Sequence, residues 1–133
     1  MGGMNMKEII KTSKAPEAIG AYSQAIKVGD FLFASGQIPI DPQTGVLVEG
    51  GIEAQTKQVM ENIKQILQAG GSDLDNVIKT TIFILKMEDF LAVNQIYGNY
   101  FTTILPARSC VAVARLPKEA QIEIEVIAYC PEK

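Results

Sequence analysis

Histidine is absent from this chain of 133 residues, and no other feature removes as much chemistry. Without it there is no Ser-His or Cys-His nucleophile pair, and the commonest zinc ligand is missing. Tryptophan is absent as well, and cysteine is down to two, Cys110 and Cys130. Two thiols are too few for a disulfide framework, make no metal site without histidine, and fit a reducing compartment. Charge is sparse. Twelve Lys and Arg against fifteen Asp and Glu give a net charge of −3, with no basic run longer than two residues. Such a chain has no electrostatic footprint for duplex nucleic acid or an anionic membrane. No stretch approaches the roughly 18 apolar residues of a spanning helix. The segment from Met1 to Met6 has no basic region followed by an apolar one, so neither a signal peptide nor a membrane anchor is expected. Residues 1–6 are expected to form a flexible extension, and the location to be cytoplasmic.

Hydrophobic residues, by contrast, are plentiful at 47%, while charged residues stand at 20%. Residues 1–133 form one domain's worth of chain, long enough to bury a core. Its apolar content exceeds what a small monomer easily hides, which points to a homo-oligomer.

No repeat or low-complexity tract divides the chain. Glu8-Ile9-Ile10 reads as a short strand. Residues 21–28 and 31–36 read as a hairpin around Gly29-Asp30, because turn residues separate two β-favouring runs. Pro39 and the Asp41-Pro42-Gln43-Thr44-Gly45 cluster end it. Over 52–69, Val59, Ile63, Ile66 and Leu67 recur at the spacing of one buried helical face, and Gly70-Gly71 supplies the stop. Val77 to Lys86 is the most β-favouring run, with Ile78, Thr80, Ile82 and Ile84 on one face. A second helix is expected over 88–103, with Phe90, Val93, Tyr97 and Phe101 on one stripe. Strands over 110–116 and 122–130 close the chain. The order implies an α+β fold: a mixed sheet with two helices packed on one face. The other face needs a cover, which subunit association would supply.

Chemistry must come from the residues that remain. Arg108 enters a strand beside small side chains, and alternation puts Arg108, Cys110, Ala112 and Ala114 on one face. That arrangement leaves space before a guanidinium, whose planar fork matches a carboxylate. An ordinary surface arginine paired with a nearby acid fits the same pattern. In Ile122-Glu123-Ile124-Glu125-Val126 the glutamates share one face. That face is either solvated or contains a partly desolvated general acid/base. Cys110 lacks the histidine partner that a covalent mechanism would need. Tyr22, Ser35 and Asn94 would each pass as a core or rim polar group. Gly50-Gly51 and Gly70-Gly71 read as turn and cap, not phosphate loops.

Taken together, several segments resemble the reactive-intermediate deaminase (RidA-like) family of 2-iminobutanoate/2-iminopropanoate deaminases. They are Ala15-Pro16-Glu17-Ala18-Ile19-Gly20-Ala21-Tyr22-Ser23-Gln24, Ala34-Ser35-Gly36-Gln37-Ile38-Pro39, Val77-Ile78-Lys79-Thr80-Thr81 and Val93-Asn94. Pro106-Ala107-Arg108-Ser109-Cys110-Val111 and Ala114-Arg115-Leu116-Pro117, leading into Ile122-Glu123-Ile124-Glu125, complete the set. The resemblance runs from about residue 7 to near the end of the chain. It implies a chorismate-mutase-like homotrimer with a central β-barrel and sites in clefts between subunits. The implied ligands are 2-imino and 2-keto acids, with no cofactor and no metal. Arg108 would clamp the substrate carboxylate and Glu123 would activate water. Tyr22, Ser35, Gly36, Asn94 and Cys110 would line the pocket. One departure is visible: the family often has proline where Ala21 precedes Tyr22, which loosens the backbone there. Two further roles stay open, an endoribonuclease or translation inhibitor and a non-catalytic trimer that binds 2-keto acids.

Overall fold

The computed structural model describes residues 6–131, so all but Met6 of the expected N-terminal extension lies outside the described residues. Six strands form one sheet in the order β1-β2-β3-β6-β4-β5: β1 Glu8–Ile10, β2 Ala25–Val28, β3 Phe31–Gln37, β4 Val77–Ile84, β5 Ala107–Ala112 and β6 Ile122–Tyr129. Neighbours run antiparallel except β4 and β5, which are parallel. The parallel pair needs a crossover, and α2 (Phe90–Gly98) supplies it; α1 (Gly51–Ala69) connects β3 to β4. Both helices pack on one face, giving the α+β architecture expected from the sequence.

The core lies between that face and α1. Val59, Ile63, Ile66 and Leu67 are fully buried there, facing Leu32, Ile82, Ile84, Ile122 and Ile124 from the sheet. Burying each large aliphatic side chain contributes about 1.5–3 kcal/mol before chain entropy is subtracted. The helix stops as its glycines require. Ser72 N–H reaches the Leu67 carbonyl at 2.8 Å and Gly71 N–H the Gln68 carbonyl at 3.2 Å, with Gly71 left-handed at φ 84°. These two bonds make a Schellman motif.

Several boundaries differ from the sequence reading. The first hairpin strand begins at Ala25 rather than residue 21, because residues 20–24 turn: Tyr22 N–H bonds back to the Gly20 carbonyl at 3.0 Å. The second helix is regular only over Phe90–Gly98, preceded by a single 3₁₀ turn at Met87–Asp89 and ended at a glycine. Strand β5 starts at Ala107 and ends at Ala112, since its partner runs out at Ile84. Ile78 is exposed, not part of the apolar face. Val77 pairs with Ala128 and Lys79 with Ile127, leaving Ile78 bulged out between them.

The opposite sheet face carries no helix. Phe31, Phe33, Val111 and Tyr129 lie on it, each between 43% and 47% exposed, beside Lys79, Thr81, Glu123 and Glu125.

Candidate active site

Register decides where the chemistry-bearing side chains go. On β6, Ile122, Ile124 and Val126 are buried under the helices, so Glu123 and Glu125 project from the open face. Strand β3 has a bulge opposite them: Ala34 pairs with Val126 but Gln37 with Ile124, so Ser35 and Gly36 together span one β6 residue. The Glu123 carboxylate fills the space that Gly36 leaves. A Cβ at Gly36 would collide with Glu123 Oε2 and come within 2.8 Å of Cδ. Ser35 is pinned at both ends, its N–H donating to the Gln24 carbonyl at 2.9 Å and its Oγ–H to the Ser23 carbonyl at 2.6 Å. The Ser35 hydroxyl therefore holds the Tyr22 loop. The buried Gln24 side chain fixes the same loop by accepting from Thr12 N–H at 2.7 Å and donating to the Pro16 carbonyl at 2.7 Å.

These parts line a cleft of about 630 Å³ that includes Tyr22, Ser35, Gly36, Glu123 and Glu125. Pro117 and Lys118 border it from a turn in which Lys118 and Glu119 are both left-handed, at φ 57° and 61°. Burial, reinforced by the Glu125 charge, raises the pKa of Glu123 above the ordinary carboxylate range. A carboxylate so placed is poised to handle protons nearer neutrality.

Arg108 lies elsewhere. It pairs across β5–β4 with Thr80, whose side chain is buried beneath the helices, so Arg108 shares the helix-side face. Its Nη1–H donates to Asn94 Oδ1 at 2.6 Å, its one hydrogen bond among the described residues. Asn94 thus holds the arginine within this chain. Phe90 and Tyr97 flank the guanidinium, with ring centroids 5.3 and 5.4 Å from Cζ. Cys110, two residues along the same face, is half-buried against the core. Burial pushes its thiol pKa up more than the Arg108 charge lowers it, so it stays protonated and a poor nucleophile.

Two separate groups result. Tyr22, Ser35, Gly36 and Glu123 gather on the open face; Asn94, Arg108 and Cys110 gather on the helix side, at the β5 edge. Within one chain the sheet separates Arg108 from Glu123. Alternation places Glu125 beside Glu123, but the sequence reading does not identify Phe90 and Tyr97 as neighbours of Arg108. The spacing of Phe90, Asn94 and Tyr97 at i, i+4 and i+7 was the available signal, since it puts two rings and an amide on one helical face. Among the described residues no cluster of His, Cys, Asp or Glu could hold a metal ion, and no helix is long and apolar enough to cross a membrane.

Residues 12–130 match the family model described as endoribonuclease L-PSP. A RutC family protein of Pyrococcus horikoshii is 57% identical over 124 residues, covering 93% of this chain and 98% of its own length. The rat protein named 2-iminobutanoate/2-iminopropanoate deaminase is 50% identical over 123 residues, covering 92% and 90%. The crystal structure of E. coli TdcF with bound serine superposes with a TM-score of 0.89 at 42% identity, covering 93% of this chain and 99% of that one.

Proposed function

Because the chain belongs to the endoribonuclease L-PSP family, some of whose members are named imine deaminases, we propose that it hydrolyses 2-imino acids such as 2-iminobutanoate and 2-iminopropanoate. The products are the 2-keto acid and ammonia. One observation carries the reading. A single chain presents an arginine with unengaged donors on one sheet face and a carboxylate of raised pKa on the other. A second copy laid against the open face would join the two. The homotrimer implied by the resemblance is the assembly we propose, and the uncovered aromatic side chains on that face support it.

The chemistry asks little of the protein. A protonated 2-imino acid is already electrophilic at C2. Arg108 fixes its carboxylate by a charge-assisted fork. Glu123 takes a proton from water as the oxygen adds to C2, and returns it to the nitrogen as the C–N bond breaks. Water supplies the keto oxygen, the carbinolamine hydroxyl gives its remaining proton to Glu123 as the C=O bond forms, and the departing ammonia carries that proton away as ammonium, so the atoms balance without an oxidant or a cofactor. Such general acid–base assistance is typically worth about 10²–10⁴-fold. Serine bound to E. coli TdcF supports a small carboxylate ligand for the family. The reaction suits a reducing cytoplasm, where we place the protein.

Ammonia release from freshly generated 2-iminobutanoate, with and without protein, tests the activity. Arg108→Ala should lower the enzymatic rate at least 100-fold while the protein stays folded. Near-normal turnover in that variant would remove the clamp. The family's description keeps RNA cleavage as a second reading, yet a net charge of −3 and the lack of histidine weigh against it. Salt-sensitive RNA binding by nuclease-free protein would favour it. Saturable 2-oxobutanoate binding without any rate enhancement would favour the non-catalytic trimer.

A further inference from the structure

An exposed arginine on an edge strand ordinarily samples many rotamers, and a ligand that fixes it must first overcome that freedom. Arg108 is restrained in advance. Phe90, Asn94 and Tyr97 present one face of α2 to it: two rings 5.3 and 5.4 Å from Cζ and one amide oxygen 2.6 Å from Nη1. The Tyr97 ring is itself held. Its hydroxyl lies 2.8 Å from Thr80 Oγ1 in a buried contact, and its ring packs 4.9 Å from that of Phe101. Thr80 is in turn the cross-strand partner of Arg108, which closes the loop of contacts.

We propose that Phe90 and Tyr97 form an aromatic seat that presets Arg108 for carboxylate binding, with Phe90 as the positioning residue. The seat rests on the imine-hydrolase reading and deepens it. Ring faces attract a guanidinium without consuming any of its N–H donors. An Asp or Glu in their place would hold the arginine equally well but would occupy the fork and neutralise the charge. Aromatic support therefore fixes the cation and still leaves it able to accept an anion. Asn94 takes one donor and sets the rotation of the fork. Lysine at position 108 would keep the charge and lose the planar fork that lies over the rings, so Arg108→Lys should not substitute.

The test compares wild type with Phe90→Leu and Phe90→Tyr. Calorimetry measures binding of 2-oxobutanoate and of its uncharged carboxamide, and ammonia release gives kcat and KM for 2-iminobutanoate. Phe90→Leu should raise Kd for 2-oxobutanoate and KM about fivefold, with kcat within about twofold and carboxamide binding unchanged. Phe90→Tyr, which restores a ring, should lie within about twofold of wild type. Unchanged 2-oxobutanoate binding in Phe90→Leu would overturn the seat. So would an equal loss for carboxylate and carboxamide, which would mark Phe90 as packing alone. Should Phe90→Leu fail to fold, Phe90→Met, unbranched and adaptable, carries the same expectation. Failure of the wild type itself to bind or turn over would bring down the imine-hydrolase reading, and the seat with it.

Discussion

Glu123 is pressed into the space left by Gly36, with Glu125 on the same face, and both burial and that second charge favour its protonated form. A base works only when ionised. The rate should therefore rise with pH through a pKa above the ordinary glutamate range, and the acid limb of kcat/KM reports it. Glu125→Gln removes one of the two causes and should shift that limb to lower pH, with the plateau preserved. A limb that stays in place would deny Glu125 this role. Gly36→Ala makes a different demand, because the added Cβ meets the Glu123 carboxylate directly. The carboxylate must swing away, and misplacement of about 1 Å can cost 10²-fold. A loss near that size, with the melting temperature little changed, is the expected result. Ser35 and Asn94, which the family resemblance implies line the pocket, spend their polar groups on the Tyr22 loop and on Arg108.

Among the connecting elements, the turn at Pro117–Glu119 stores strain beside the cleft. Left-handed backbone costs an L-residue roughly 1–2 kcal/mol, and here Lys118 and Glu119 adopt it in succession. Glu119→Gly should therefore stabilise the fold by about 1 kcal/mol, seen as a higher urea midpoint at unchanged slope. An unchanged or lower midpoint would contradict it. Elements with one strong period were legible from sequence. The α1 stripe of Val59, Ile63, Ile66 and Leu67 is buried throughout, and β6 alternates as Ile122-Glu123-Ile124-Glu125 indicates. Tertiary pairing governed the rest. The bulge that turns Ile78 outwards follows from the β4–β6 register, and β5 extends only as far as β4 accompanies it. Helix α2 stops at Gly98, although Phe101 continues its stripe and packs at a tilt against Tyr97. For the site, alternation put Arg108 with Cys110 and Glu123 with Glu125. It could not say that the two pairs face opposite ways, because relative facing is fixed by the ladders joining β5 to β4 and β4 to β6.

For the molecule as a whole, that opposition is the governing fact. One face of the sheet is sealed by α1 and α2; the other leaves Phe31, Phe33, Val111 and Tyr129 for something else to cover. In the proposed trimer each cleft takes Glu123 from one chain and Arg108 from its neighbour. Mixed trimers test this most directly. Arg108→Ala and Glu123→Gln homotrimers should each be inactive. Co-expressed in equal amounts and purified together, they should regain about a quarter of the wild-type rate, since random assembly gives one cleft in four both intact residues. Verified mixed trimers that remain as inactive as either parent would contradict a cleft shared between chains.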